Sequence, residues 1–224
     1  MRTILLIAIH FIDYLKNRLP FRNLFTGRTH REPKNRIMSK LLDEIFIKPG
    51  DIIFLSIPNA LYRRVAETTG SKASHVGIVF YDVINGWVVA ESTIPCVKYT
   101  PLEEFFLSHT DNHWVAVRRL KTGLSSLQVQ QLRMECDLRV GKLYHLGFCY
   151  NSPRQFCSKL VYDVYLVATG IKIGTLEPFS ELLRRKQGTS LLFWRLWFFG
   201  AIPWSRTTVT PASQMESEML ETVF

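Results

Sequence analysis

Cys157 is the residue in this chain best placed to act as a nucleophile. It stands in Phe156-Cys157-Ser158-Lys159-Leu160-Val161, and its surroundings read as the opening of a helix. Ser152 can cap, and Pro153 tolerates a first helical position. From Cys157 on, Leu160, Val161, Val164, Tyr165 and Ala168 recur along one helical face, and Gly170 supplies a stop. A thiol near the positive end of a helix is favoured as the thiolate. To attack an acyl group and release it again, a thiolate needs an imidazole within about 3 Å, itself oriented by a third group. The plainer reading of Cys157 is a buried cysteine on an apolar stripe.

The matching imidazole is His75, in Ser74-His75-Val76-Gly77-Ile78-Val79. It begins a strand in which His75, Gly77, Val79 and Tyr81 share one face and Val76, Ile78 and Phe80 the other. Gly77 leaves room on the histidine face for a helix end to approach. His109 and His113 are four apart, but in a stretch that reads as loop and without a third ligand. His75, Glu91 and Cys157 could form a zinc set by type, but the helix-start position of Cys157 favours nucleophilic use. No metal and no cofactor are expected.

Gly141-Lys142-Leu143-Tyr144 followed by Phe156-Cys157-Ser158, Leu160-Val161 and Tyr165 resembles the nucleophile region of the NlpC/P60 superfamily of papain-like cysteine enzymes. No histidine follows Cys157, whereas in the standard order the histidine comes later. The order here resembles the circularly permuted branch, with its YiiX-like, lecithin retinol acyltransferase-like and poxvirus-type members. Within it the chain is most similar to the YebB family, through Gly50-Asp51-Ile52-Ile53-Phe54, the His75 segment, Ala90-Glu91-Ser92, Leu143-Tyr144-His145, Arg154 to Ser158, and Phe193 to Ser213.

The resemblance implies Glu91 as the group that orients His75. It also implies Tyr144 as a donor to an oxyanion or an orienter of the base. The backbone N–H of Cys157 could serve the same oxyanion, with Gln155 a weaker side-chain candidate. Register leaves Glu91 open. A two-residue Asn85-Gly86 hairpin would set it opposite Phe80, facing away from His75. A five-residue loop, Tyr81 to Asn85, would set it opposite His75, so the triad requires an odd loop or a bulge.

Positioning these residues requires an α+β fold, a permuted papain-like domain in which an antiparallel sheet packs against the nucleophile helix. Strands are expected at Ile52 to Ile57, His75 to Tyr81, Trp87 to Ser92 and Trp114 to Leu120. Helices are expected at Ala60 to Thr69, Leu102 to Leu107, Ser126 to about Val140, from Ser152-Pro153 through Cys157 to Ala168, and Glu177 to Lys186. Residues 1–40 read as a basic leader with a possible amphipathic helix at Ile4 to Ile12, 45–213 as the papain-like domain, and 214–224 as an acidic, disordered tail.

The 224 residues carry a formal net charge of +9. The leader holds nine basic and two acidic residues, a net of +7, which leaves +2 for the rest. The charge therefore says little about the domain's substrate, and nucleic acid is an unlikely partner. The leader could meet an anionic membrane surface; a solvated basic run is the plainer reading. Leu191 to Trp204, rich in Trp and Phe, is expected to pack in the core, with a membrane-facing ledge as the alternative. Both apolar runs are shorter than a membrane span. Four cysteines without a CxxC pattern suit a reducing compartment, so a cytoplasmic protein, free or peripheral to the membrane, is expected. The expected activity is cysteine-dependent hydrolysis or acyl transfer on an amide, ester or thioester of an acyl or peptide substrate. The competing expectation is a non-catalytic papain-like binding domain.

Overall fold

The computed structural model divides the chain into two units, the second beginning at Lys34. It describes residues 47–109, 114–185 and 191–224, all in the second unit. The basic leader and the amphipathic helix expected in it, like His113, lie outside the described residues.

The elements run β1 (Ile52–Leu55), α1 (Ala60–Thr69), β2 (His75–Asp82), β3 (Gly86–Ser92), β4 (Val97–Pro101), α2 (Leu102–His109), β5 (Val115–Leu120), α3 (Ser126–Asp137), α4 (Cys157–Thr169), β6 (Glu177–Pro178), α5 (Phe179–Arg185), α6 (Leu191–Trp197), β7 (Thr207–Thr208), α7 (Pro211–Met215) and β8 (Leu220–Thr222). Six strands form an antiparallel sheet in the order β4-β3-β2-β1-β5-β8, and β6 and β7 form a two-stranded ribbon. The architecture is α+β, as expected.

Alternation along the strands sends apolar residues to both faces. Val76, Ile78 and Phe80 of β2 pack with Leu160, Val161 and Val164 of α4. Ile53, Leu55, Val79 and Val89 pack with Phe105 and Phe106 of α2. A third cluster joins Tyr144, Phe148 and Phe156 to Phe179 and Trp194. At the start of β1, buried Asp51 accepts two hydrogen bonds of 2.7 Å from Arg119 and one of 2.8 Å from the Lys48 amide. That buried pair ties β1 to β5.

Three expectations are corrected. Helix α4 starts at Cys157, not at Ser152-Pro153. The Ser152 hydroxyl accepts from the Arg154 amide in a local turn, and Lys159 Nζ bonds the carbonyls of Ser152 and Arg154. Gln155 meanwhile bridges to Tyr144, so the segment is held out of the helix. Glu177 and Pro178 are a strand rather than a first helical turn, with Glu177 paired to Thr208. The segment after residue 213 is ordered. Leu220 is buried, Val117 exchanges backbone hydrogen bonds with Val223 and Phe224 across 2.9 Å, and Arg118 bonds the Leu220 carbonyl. Its glutamates face solvent while the residues between them complete the sheet.

Candidate active site

The β2–β3 hairpin decides where Glu91 points. The loop between the strands is three residues, Val83 to Asn85, closed by Asp82 opposite Gly86. The Asp82 carboxylate accepts from the amides of Ile84 and Asn85, each at 3.0 Å. Gly86 takes a φ of 69°, the left-handed residue that ends a three-residue hairpin loop. The loop is odd, as the triad requires, though shorter than the five-residue version. Glu91 therefore stands opposite Gly77 rather than His75, on the same face as His75 and two residues along.

Gly77 has a different use from the one expected. A Cβ there would lie 2.4 Å from Val89 Cγ1 and 3.0 Å from the Ala90 carbonyl. The space is filled by β3, not by a helix end. The body of α4 lies on the opposite face, against Val76 and Ile78. Cys157 meets His75 only because His75 is the first residue of β2 and Cys157 the first of α4.

His75 and Glu91 are both fully buried, and His75 Nε2 lies 2.7 Å from Glu91 Oε2. The other carboxylate oxygen accepts from Thr100 Oγ1 at 2.6 Å and lies 3.9 Å from Lys98 Nζ. The imidazole rests between the rings of Phe105 and Tyr62, at centroid distances of 5.7 and 5.8 Å. With Nε2 committed to Glu91, Nδ1 is the nitrogen left for Cys157. Burial works against charge on the ring. The nearby Cys157 and the hydrogen bond to Glu91, reinforced by their charges, outweigh it and raise His75 to about 9. At neutral pH the ring is an imidazolium held between two acidic groups.

Cys157 is 4% exposed. Its helix has Phe156 at the N-cap and no side-chain cap, so the first amides of α4 remain available beside the sulfur. Tyr144 reaches the site through the backbone. It bridges to Gln155, with His145 N to Gln155 O at 2.7 Å and Gln155 N to Leu143 O at 3.0 Å. Its hydroxyl accepts from that of Tyr62 at 3.4 Å and is electrostatically coupled to Cys157. Burial, Tyr62 and Cys157 hold the phenol well above its ordinary range, so it stays a hydrogen-bond donor.

The Gln155 side chain is engaged elsewhere. Its amide nitrogen donates to Asp163 at 3.3 Å, two turns along α4, and its backbone positions Tyr144. Tyr62, Thr100 and Phe105 were not anticipated. Nothing in their sequence context marked them, and Thr100 lies on β4, a strand with no clear alternation.

Cys157 and Tyr144 open into a cleft of about 440 Å³, its mouth included. The other walls are chiefly apolar, among them Phe148, Phe179, Leu182, Trp194 and Val209.

A papain-like arrangement in which the histidine strand precedes the cysteine helix defines a permuted papain-like protein with cysteine hydrolase-type activity. The chain belongs to the family described as permuted papain-like amidase, YaeF/YiiX, C92, which matches residues 46–224. It is 30% identical over 175 residues to YiiX of Escherichia coli strain K12, a protein described as uncharacterized, covering 78% of this chain and 84% of that one. The crystal structure of YiiX from Escherichia coli O157:H7 superposes with a TM-score of 0.70 at 28% identity, covering 79% of this chain and 96% of that one.

The O157:H7 protein is titled a metalloprotein. Among the described residues here, no group of three or more His, Cys, Asp and Glu side chains is arranged to hold a metal ion. His75 and Glu91 bond each other, and the second Glu91 oxygen bonds Thr100. These residues do not fit a metal. No helix among the described residues is long and apolar enough to cross a membrane.

Proposed function

We propose that this protein is a cysteine amidase working through Cys157, His75 and Glu91. The observation that carries the reading is a buried imidazole bonded to Glu91 and electrostatically coupled to a cysteine at an uncapped helix start. The Cys157 thiolate attacks the amide carbonyl, forming a C–S bond while the carbonyl π electrons move to oxygen. The Tyr144 hydroxyl and the Cys157 amide donate to that oxyanion. As the C–N bond breaks, His75 delivers its Nδ1 proton to the departing amine, leaving a thioester and a neutral imidazole. His75 then takes a proton from water, and the hydroxide equivalent displaces the thiolate. Glu91 keeps Nε2 protonated and the ring in place throughout.

The test is a panel of acyl and peptidyl electrophiles applied to the intact chain, with the modified residue mapped by mass spectrometry. Cys157 reacts ahead of Cys96, Cys136 and Cys149, and His75→Ala slows it at least about 100-fold. Cys136 is a built-in control, because burial pushes its thiol up. Equal labelling of all four would leave the domain as a binding module.

A further inference from the structure

Helix α6 is apolar on both sides. Trp194, Trp197 and Phe198 turn inward to the aromatic cluster, where Trp194 and Phe198 flank the Phe179 ring at 6.1 and 5.5 Å. Leu192, Leu196 and Phe199, spaced i, i+4 and i+7, turn outward and are 67%, 49% and 84% exposed. Trp204 beyond them is 45% exposed. A helix on a protein surface ordinarily carries polar residues on its outer face. Large apolar side chains grouped this way mark a surface that meets something apolar.

The charge around the stripe indicates what that is. Residues 191–206 contain Arg195 and Arg206 and no acidic residue. Arg206 lies over the Phe198 ring at 5.2 Å, Arg64 lies over Phe193 at 5.6 Å while paired with Glu67 at 2.6 Å, and Arg195 is exposed on the helix itself. An aliphatic and aromatic stripe rimmed by guanidinium groups suits a bilayer interface, where leucines enter the acyl layer, tryptophan sits at headgroup level and arginines meet phosphates. A protein partner would need a broader face and matching carboxylates.

We propose that α6 and the turn after it dock this protein on a lipid bilayer with anionic headgroups. Leu192, Leu196 and Phe199 enter the apolar layer, and Arg195 binds phosphate. The inner side of the same helix carries Trp194, which lines the cleft containing Cys157. Docking sets that wall against the bilayer, so an acyl amide carried in the membrane is the substrate class that fits. This last step rests on the catalytic reading above; the docking does not.

The test is hydrogen-exchange mass spectrometry of the full chain with phosphatidylcholine vesicles, with and without phosphatidylglycerol. Exchange across 191–204 slows on the anionic vesicles. The Leu192→Ser, Leu196→Ser, Phe199→Ser triple variant partitions at least about tenfold more weakly while melting like the wild type. Arg195→Glu loses the preference for phosphatidylglycerol. Cys157→Ala binds as the wild type does, which separates this proposal from the catalytic one. Protection confined to other segments overturns it, as does unchanged partitioning of the triple variant. So does a solution dimer that the triple variant dissolves, since the stripe would then be covered by a second copy.

Discussion

At the scale of single residues, the charge on His75 governs how the protein answers to pH. The folded imidazole is raised to about 9, against about 6.5 for a free side chain. A group whose folded value is raised contributes its stability fully below the unfolded value and loses it as pH climbs through the folded one. Thermal stability is therefore expected to fall between about pH 6.5 and 9, and acylation of Cys157 to fall along the alkaline limb near 9. Glu91→Gln keeps a hydrogen-bonding side chain but removes the charge, so that limb moves to lower pH. A pH series of acylation rates on the two proteins checks the shift; an unmoved limb would show that Glu91 does not tune the ring. Tyr144→Phe removes the proposed oxyanion donor while leaving the ring's edge-to-face contact with Phe148. Turnover of an amide substrate is expected to drop about 100- to 1,000-fold, with iodoacetamide labelling, which builds no oxyanion, much less affected.

At the scale of elements, the site depends on how closely β2 and β3 approach. Gly77→Ala places a methyl group 2.4 Å from Val89 Cγ1 and 3.0 Å from a backbone carbonyl, and neither can withdraw without parting the strands. A loss of about 1–3 kcal/mol is expected by denaturant titration, together with slower Cys157 alkylation as Glu91 draws away from His75. The hairpin also shows where reading the sequence stopped. Helix α4 and strand β2, which carry Cys157 and His75, were legible, because helix periodicity and strand alternation are local patterns. The side of the sheet that Glu91 occupies was not, because it turns on a single residue of loop length and on Asp82 folding back over its own turn. The start of α4 was misjudged for a related reason. Ser152 and Pro153 are good helix-opening residues, but Lys159 and the Tyr144 bridge draw the carbonyls and amides of that segment elsewhere.

At the scale of the whole molecule, the sheet separates what holds the fold from what performs the chemistry. The strands that carry His75 and Glu91 lie toward the β4 edge, whereas β8 closes the other edge against β5. Composition alone made the tail look disordered, since Glu216, Glu218 and Glu221 dominate its character. The partner that orders it, β5, lies about 100 residues earlier, beyond the reach of any local pattern. Deleting residues 219–224 uncovers the edge of β5 and removes buried Leu220. A loss of about 3 kcal/mol is expected, or about 6–12 °C in melting temperature by calorimetry. The reactivity of Cys157 should change little below the transition. A truncation that abolished labelling while the fold survived would mean that the two edges are coupled.

Phe156 shows what that division leaves undone at the nucleophile itself. Natural helices commonly begin with serine, threonine or aspartate, and the missing cap at α4 forgoes about 1 kcal/mol. An engineer selecting heat-resistant variants would be drawn to this position. The reward for filling it would be a sturdier protein whose amides were already occupied when a substrate arrived.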